Sequence, residues 1–558
     1  MAFEWLTDES RAFLKRGYLR DGIEAEDRIR EIADTAEELL GEDGFADKFY
    51  DYMSKGWISL ASPVWSNFGL QRGFPISCFG SYIGDSMANI AYTHAENMMM
   101  SKYGGGTSLY IGALRERGAE IKDNGTSNGS VNFMQLFDRL IDVVSQGQVR
   151  RGTIAPYLPV EHGDIDEFLD IGTEGHPIQC MNSAVTVTNE WLQSMVDGDE
   201  DKRKIWAKVI QRRGEIGFPY IMFVDNANEG KPEIYKEKDR KIYASNVCSE
   251  IMLPSSETES FVCCLSSVNL LHYDEWKDTD LIEVMTRFLD AVLTDFINRL
   301  ESMRDSDDPD DNQAFYFMER TYNFAKNHRA IGIGVFGWHS YLQSKMLAFD
   351  APEAMKINAE VFTLLKERSY AESEKMAKKY GEPELLKGHG RRHTTTMAVA
   401  PTTSSAFIIG QASQSIEPFM SNCYVKDLAK MKITVKNKAL QSLLAEKGKD
   451  DSDTWKSIRD NDGSVQHLDF LTDDEKAVFR TFAEIDQYVI IEQAAVRQMF
   501  IDQGQSLNVM IGPSTSAKEI NNLYLTAWRK GIKALYYQHS MNAAQELTRK
   551  KVCESCEA

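Results

Sequence analysis

An amide, a thiol and a carboxylate alternate in one short segment, at Asn246, Cys248 and Glu250. Residues two apart in an extended chain share a face, so an extended segment would point all three side chains in the same direction. Such a set would supply a substrate-binding amide, a carrier for a radical or a nucleophile, and a proton acceptor. A half-buried strand with chance polar residues is the competing interpretation, and the segment taken alone favours it.

Further thiols lie at Cys78, far upstream, and at the adjacent Cys263 and Cys264, while Cys553 and Cys556 form a CxxC pair close to the end of the sequence. Separated thiols together with a pair in a tail suggest dithiol–disulfide chemistry, in which a mobile pair reduces a buried one. Eight cysteines among 558 residues are too few for a disulfide scaffold. The CxxC pair lacks the further ligands of a structural zinc site, so no metal site is predicted.

Charge and composition exclude several classes of protein. The chain has 63 basic and 84 acidic residues and a net charge of −21, which disfavours loose binding to nucleic acid. An apolar fraction of 42% is typical of a globular protein. No apolar run reaches the length of a membrane span, and the N-terminus lacks the features of a signal peptide. We therefore expect a cytoplasmic protein that binds neither membrane nor nucleic acid.

Two other segments have compositions that suit a binding site. A run of small hydroxyl residues follows a strand-like stretch and consists of Pro401, Thr402, Thr403, Ser404 and Ser405. Free N–H groups and hydroxyls at a strand-to-helix turn suit phosphates, although an ordinary turn with a helix cap fits as well. The glycines at 104–106 lack the GxxxxGK[ST] frame of a P-loop. The adjacent Tyr536 and Tyr537 would by themselves most often be core packing.

Helical and strand-like patterns alternate along most of the sequence. Residues 5–55 carry apolar positions at helical spacing. The strands and helices predicted beyond them are, in order, 131–144, 184–188, 189–213, 218–223, 276–301, 331–342, 395–400 and 474–503. This alternation indicates an α/β sheet or barrel rather than separate domains.

The chemical motifs occur in the order of a known family. Asn246-x-Cys248-x-Glu250, followed by Cys263-x-Leu265-Ser266, resembles the finger loop and redox strand of ribonucleotide reductase large subunits. Further motifs that match in order are Ala61-Ser62-Pro63, the Cys78 strand with Asp85, 145–150, 400–405 and Leu535-Tyr536-Tyr537. The resemblance covers nearly the whole chain and implies a ten-stranded α/β barrel. It implies a helical region at 1–75, the barrel with its finger loop at 76–545 and a flexible redox tail at 546–558.

The resemblance implies a role for each reactive residue. Cys248 would carry a thiyl radical that abstracts the 3′ hydrogen of a ribonucleotide, and Glu250 would be the general base at the 3′-hydroxyl. Asn246 would hold the substrate. Cys78 and Cys263 would deliver two electrons and become a disulfide as water leaves C2′. The family's frame favours Cys263 over its neighbour Cys264, and only one of two adjacent strand residues can face Cys78.

The family's substrate and effector sites also have counterparts here. The resemblance places Ser62 at the substrate ribose, Gly105 in the wall of the active site, and the phosphates at Pro401, Thr402, Thr403, Ser404 and Ser405. The effector residues that it implies are Asp85 for the ribose, the loop from Arg115 to Lys122 for the triphosphate, and Gln146 and Arg150 as reporters of effector identity. A solvated basic pair is the competing interpretation of Arg150 and Arg151.

The tyrosine pair favours the class I form of the family. In that class, Tyr537 would receive a radical from a separate small subunit that holds the metal, and Tyr536 would pass it to Cys248. The sequence shows no C-terminal glycyl-radical motif. The family's long members begin with an ATP-cone, and here the helical region begins at once, so we expect control of substrate specificity without dATP inhibition of overall activity.

The resemblance further implies partners and ligands. Expected are a homodimer, dNTP or ATP effectors with Mg²⁺, and thioredoxin or glutaredoxin that re-reduces Cys553 and Cys556. No cofactor bound covalently to this chain is expected. Two alternatives remain at this stage, an adenosylcobalamin-dependent reductase and a non-enzymatic nucleotide-binding regulator.

Overall fold

The N-terminal region is built from short helices. The computed structural model describes residues 2–146, 152–428 and 431–540, and all side chains in these ranges except those of 426–433. The first elements are α1 (Asp8–Leu14), α2 (Ala25–Leu40), α3 (Phe45–Ser54), strand β1 (Ile58–Leu60) and α4 (Ser62–Asn67). Buried Ile29, Ile32 and Ala36 give α2 one apolar face. The buried Arg28 donates to Trp65 O at 2.9 Å, which ties α2 to α4.

Five parallel strands form the first half of a barrel. They are β2 (Cys78–Tyr82), β3 (Gly106–Tyr110), β4 (Ile154–Pro159), β5 (Ala184–Val187) and β6 (Tyr220–Phe223). The helices that connect them are α5 (Met87–Lys102), α6 (Ser130–Val143), α7 (Ile165–Leu169), α8 (Asn189–Asp197) and α9 (Glu200–Ile216). Almost every residue of these strands is buried, as expected for parallel strands that helices cover on one face and a filled interior covers on the other.

The second half repeats the pattern with less regular strands. Past α10 (Val224–Glu229) and α11 (Glu233–Glu237), β7 (Phe261–Asn269) runs antiparallel to β2, and β8 (Ile331–Phe336) lies parallel to β7. Between and after them lie α12 (Tyr273–Trp276), α13 (Leu281–Arg304), α14 (Pro309–His328), α15 (Trp338–Ser344) and α16 (Pro352–Tyr380). Single parallel bridges then join Ile333 to Met397 and Val399 to Gln505.

The remaining elements close the barrel and add a small outer unit. They are α17 (Thr403–Ile408), the antiparallel pair β9 (Cys423–Leu428) and β10 (Met431–Lys436), α18 (Lys438–Glu446), α19 (Ser452–Asp460), α20 (Asp473–Val478), α21 (Gln487–Gln498), β11 (Val509–Ile511), α22 (Ala517–Arg529), β12 (Ala534–Leu535) and β13 (Gln538–Ser540). The outer unit, residues 437–479, has its own apolar core around Leu440, Trp455 and Phe479.

Closure occurs at two antiparallel seams. We call β2 against β7 the thiol seam, and β6 against β12 the tyrosine seam. Beside β12, Tyr536 N donates to Leu507 O at 2.9 Å, which attaches the segment 503–508 to the ring. The ring has ten strands: β2 to β6 in the first half, and β7, β8, β12 and the bridged segments around 397–399 and 505–507 in the second. Strand β1 pairs with β7 outside this ring. The predicted α/β barrel with an N-terminal helical region is therefore confirmed.

Some predicted elements were wrong in detail. The helix predicted at 189–213 is two helices, α8 and α9, because the chain turns at Gly198 with φ at +121°. The single helix predicted at 474–503 is also divided, into α20 and α21, with a short 3₁₀ turn between them. The predicted redox tail, 546–558, lies outside the described residues. Within the described ranges, no helix is both long and apolar enough to cross a bilayer.

Candidate active site

The loop that carries Cys248 is a turn rather than an extended strand. Asn246 Oδ1 accepts the backbone N–H groups of Glu250 (3.0 Å) and Ile251 (3.1 Å), and Ser249 lies in the left-handed region with φ at +66°. The prediction of an extended segment was therefore wrong, because the Asn246 side chain satisfies backbone donors that a strand partner would otherwise satisfy. Tyr157 of β4 donates to Asn246 O at 2.7 Å and holds the turn against the first half of the barrel.

Glu250 is a buried carboxyl group with a raised pKa. It is 1% exposed, and Gly504 N donates to its backbone oxygen at 2.8 Å. Burial removes water from the carboxylate and raises the pKa of Glu250 to about 7, even though hydrogen bonds from its own loop and from Ser506 act in the opposite direction. A carboxyl group that titrates near neutrality is well matched to general-base catalysis.

Cys248 lies between the turn and a cluster of aromatic rings. Its side chain is only partly buried and packs with Tyr536 and Tyr537 in one apolar cluster. Its backbone oxygen accepts the hydroxyl of Ser506 at 2.6 Å. The thiol is thereby fixed from the second half of the barrel, while Tyr157 fixes the turn from the first half.

The thiol seam brings two cysteines face to face. Cys78 of β2 and Cys263 of β7 are direct partners in the antiparallel register. Directly opposed residues in such a pair have Cα atoms about 4.5–5.5 Å apart, within the range that a disulfide spans. Asn246 Nδ2 donates to Cys78 Sγ at 3.2 Å, so the turn touches the same pair. Burial raises the pKa of Cys263 well above its usual value, so the Cys263 thiol is held protonated.

Cys264 belongs to a different environment. It is the neighbour of Cys263 on β7 and pairs with Ile331 of β8. The charged groups that act on its thiol are Asp290 and Arg329, on the helical side of the sheet. The register thus places Cys263 opposite Cys78 and leaves Cys264 outside the pair, in agreement with the sequence-based preference.

Three tyrosine rings meet at the tyrosine seam. The ring centroids of Tyr536 and Tyr537 are 4.4 Å apart. Tyr220 of β6 lies 4.7 Å from Tyr536 and 5.1 Å from Tyr537. Tyr536 is 2% exposed and Tyr537 is only partly buried, and both belong with Cys248 to one apolar cluster. Tyr220 was missed, since a tyrosine within an apolar strand carries no signal of its own in the sequence.

Comparison with known proteins decides the family. Two family models match, the ribonucleotide reductase all-alpha domain over residues 4–73 and the ribonucleotide reductase barrel domain over 76–201, 199–385 and 383–538. The chain belongs to the ribonucleotide reductase family, as a large, catalytic subunit.

Individual relatives agree. The solved structure of the Actinobacillus ureae class Id ribonucleotide reductase alpha subunit is 54% identical and superposes with a TM-score of 0.90 over 99% of each chain. The ribonucleoside-diphosphate reductase large subunit of Invertebrate iridescent virus 3 is 31% identical, over 94% of this chain and 92% of its own length. The corresponding subunit alpha of Chlamydia trachomatis is 30% identical, over 89% of this chain and 55% of its own length.

The residues predicted to bind substrate lie on two adjoining segments. Ser62 is the first residue of α4, and its hydroxyl donates to Tyr18 at 3.2 Å. Thr402 has φ at +53° and begins the turn into α17, and Ser405 donates to Leu60 O at 3.4 Å, which joins this turn to β1. The hydroxyl of Ser404 is buried without a partner among the described residues, as a group awaiting a substrate would be.

The remaining residues predicted to bind substrate are Pro401, Thr403 and Gly105. Thr403 Oγ1 donates to Gln414 at 3.4 Å, and Pro401 lies just before the turn. Gly105 packs against Phe79, whose ring a side chain at this position would overlap. Glycine is therefore required by packing in the wall formed by β2 and β3.

The predicted effector residues separate into an exposed group and a buried one. Arg115 forms an ion pair with Asp85 at 2.7 Å, with both side chains about one-third exposed, and Lys122 is exposed on the same loop. Gln146 is instead 7% exposed, and its amide donates to Asn67 Oδ1 at 2.9 Å. Asn67, which the sequence did not single out, thus anchors the start of the predicted reporter loop.

Three of the predicted residues lie outside the described part of the chain: Arg150, Cys553 and Cys556. Among the described residues, no three His, Cys, Asp or Glu side chains come together in a way that could hold a metal ion.

The segment 503–508 contacts the redox strand, the turn and the tyrosine pair, and no motif in the sequence indicates this. Gln503 Nε2 lies 3.6 Å from Cys263 Sγ. Ser506 contacts Cys248 and Glu250. The segment also contacts the tyrosine pair through Asn508, whose Oδ1 accepts a hydrogen bond from Tyr537 N at 3.0 Å. Asn508 Nδ2 donates to Glu417 at 2.6 Å. One strand-like segment therefore positions the redox thiol, the turn and the tyrosine pair.

Proposed function

We propose that this subunit reduces ribonucleoside diphosphates to 2′-deoxyribonucleotides for DNA synthesis, with Cys248 as the radical carrier and Cys78 and Cys263 as the reductant. The observation that carries the proposal is the turn of Asn246, Cys248 and Glu250 lying directly on the opposed pair of thiols. The diphosphate substrate is supported by the names of the relatives in Invertebrate iridescent virus 3 and Chlamydia trachomatis.

The proposed reaction balances with these residues alone. The Cys248 thiyl takes the 3′ hydrogen atom, and Glu250 takes the proton of the 3′-hydroxyl. The 2′-hydroxyl leaves as water with the proton of one thiol, C2′ takes a hydrogen atom from the other, and the S–S bond of Cys78 and Cys263 forms. The second electron of the thiol pair and the proton held on Glu250 then reduce the 3′-keto group. Cys248 then returns a hydrogen atom to C3′. Enclosure of the loop within the barrel protects the radical from other hydrogen donors.

The radical route that we propose runs from Tyr537 through Tyr536 to Cys248. Its support is the 4.4 Å ring separation and the packing of both rings with Cys248. A separate small subunit, whose metal centre supplies the oxidising equivalent, would dock where Tyr537 is accessible. This arrangement disfavours adenosylcobalamin as the radical source.

Further partners follow from the same proposal. Large apolar side chains exposed on α5 and α6, at Met87, Leu136 and Val143, support a homodimer through these helices. The Asp85–Arg115 pair would open to bind a dNTP or ATP effector with Mg²⁺ beside them, and Gln146 and Arg150 would report its identity. Thioredoxin or glutaredoxin would re-reduce Cys553 and Cys556.

The test is the formation of deoxynucleotide from labelled cytidine diphosphate or triphosphate, with dithiothreitol and a purine effector. Parallel reactions contain a class I small subunit, adenosylcobalamin, or neither. We expect product from the diphosphate with the small subunit only. Product with adenosylcobalamin alone would overturn the tyrosine route. No product in any reaction would overturn the catalytic assignment and favour a regulatory role.

A further inference from the structure

A single hydroxyl group lies between two acceptors at the centre of the site. Ser506 is fully buried, and its Oγ lies 2.6 Å from the backbone oxygen of Cys248 and 3.0 Å from Oε2 of Glu250. A serine hydroxyl has one proton to donate. A backbone carbonyl can only accept, and an ionised carboxylate can also only accept. The two contacts cannot both be full hydrogen bonds while Glu250 is ionised.

The protonation state of Glu250 therefore decides where the Ser506 proton lies. When Glu250 is protonated, its O–H donates to Ser506, and Ser506 donates to the Cys248 carbonyl, so every group has a partner. When Glu250 is ionised, the charge-assisted bond to the carboxylate is the stronger one. Ser506 then turns to Glu250, and the Cys248 carbonyl loses its donor.

We propose that Ser506 is a positioning residue that couples the proton on Glu250 to the hydrogen bonding of the Cys248 backbone. The proposal rests on the function proposed above for these two residues. Once Glu250 has accepted the 3′-hydroxyl proton, Ser506 anchors the Cys248 carbonyl. The loop is thus held most firmly while Glu250 keeps that proton and Cys248 is a thiol, between abstraction of the 3′ hydrogen and reduction of the 3′-keto group.

The titratable side chains that face Glu250 from other elements stay neutral near pH 7. Tyr157 faces it from β4, Cys263 faces it from β7, and Cys248 lies on its own loop. Burial raises the pKa of both the Tyr157 hydroxyl and the Cys263 thiol. The described residues place no cation against the Glu250 carboxyl. Ionisation of Glu250 is consequently the event that moves the Ser506 proton.

The experiment is an infrared pH titration of the isolated full-length subunit, without substrate or small subunit. The Glu250 carboxyl band is assigned by its loss in Glu250→Gln, and the titration is repeated in Ser506→Ala and Ser506→Thr. Ser506→Ala removes a hydrogen-bond donor that stabilises the ionised Glu250 carboxylate. The titration midpoint of Glu250 should therefore rise by about one pH unit in this variant. Ser506→Thr keeps the hydroxyl and should retain the original midpoint.

An internal control comes from Glu417, a second buried carboxyl group, whose pKa is raised to about 8 by burial. Its band, assigned with Glu417→Gln, should not move in Ser506→Ala. An unchanged or lowered Glu250 midpoint in Ser506→Ala would overturn the coupling, as would a Glu417 band that moves equally.

A second measurement needs no Ser506 variant. In protein carrying carbonyl-labelled cysteine, the Cys248 band, identified by its loss in Cys248→Ser, should shift with the same midpoint as the Glu250 carboxyl band. A Cys248 band that is independent of pH would contradict the proposal. Both titrations are independent of turnover, so a subunit that passes them without forming deoxynucleotide would refute the proposed function and leave the coupling intact.

Discussion

Both seams of the barrel pair antiparallel strands, but one seam carries two thiols and the other carries tyrosine rings. At the thiol seam, Cys78 and Cys263 are direct register partners, and we propose that their sulfur atoms form a disulfide. At the tyrosine seam, Tyr220 and Tyr536 flank the paired residues, and their rings are 4.7 Å apart. A disulfide tolerates little deviation from its geometry, whereas a radical can pass between rings in loose contact. The barrel therefore uses strict register at one seam and side-chain packing at the other.

The largest effect is expected from breaking the thiol seam. Cys263→Ser removes one of two electron donors and should lower turnover with dithiothreitol by more than about 10³-fold, since no other thiol occupies that register. Cys264→Ser is the matched control and should retain most of the activity, because Cys264 pairs with β8. Steady-state deoxynucleotide formation measures both. Equal losses in the two variants would contradict the assignment of the redox pair.

A smaller loss is expected at the tyrosine seam. Tyr536→Phe keeps the ring packing and removes the oxidisable hydroxyl, and it should lower turnover by more than about 10²-fold. Tyr220→Phe makes the same change on the adjacent strand and should cost less than about fivefold, because Tyr220 lies beside the proposed route rather than on it. Turnover with the small subunit compares the two variants. A larger loss in Tyr220→Phe would redirect the route through β6.

The smallest effect is one of stability, at Glu250 between the seams. Its folded pKa of about 7 lies above the ordinary value, so the folded chain keeps a proton that the unfolded chain releases. The free energy of unfolding should therefore fall as pH rises from about 4 to about 7. The glutamine of Glu250→Gln does not ionise, so this variant keeps its free energy of unfolding as pH rises. It should be more stable than the original chain by on the order of 3 kcal/mol at pH 8, with no difference near pH 4.

Denaturant unfolding of Glu250→Gln and the unchanged chain at pH 4.5, 6 and 8 measures this gap. A gap that does not depend on pH would mean that burial leaves the Glu250 pKa at its ordinary value. The same variant should be inactive, so function and stability would change in opposite directions at one residue.

The sequence was sufficient where the chemistry depends on residue type and order. Cys78, Cys248, Cys263 and the tyrosine pair were identified from motifs, and the barrel followed from the same resemblance. The sequence was insufficient for residues whose role depends on tertiary contacts. Ser506 and Asn508 are ordinary polar residues after a predicted helix, and only the placement of their segment beside Cys248 and Tyr537 gives them partners. The turn at Asn246 was missed because the spacing of residues along an extended chain carries no information about a side chain that hydrogen-bonds to the backbone of its own loop.

The closed ring of ten strands has a consequence for how the molecule opens. A ring that returns to its starting strand gives each of its ten strands a neighbour on both sides, so strand separation within the ring has no low-cost starting point. Separation of a whole seam is an opening that approaches complete unfolding in free energy. Amide hydrogens along β2, β7 and β6 should therefore exchange among the slowest in the chain, and the loop of Cys248, which is hydrogen-bonded to both halves of the barrel, should share their long lifetime.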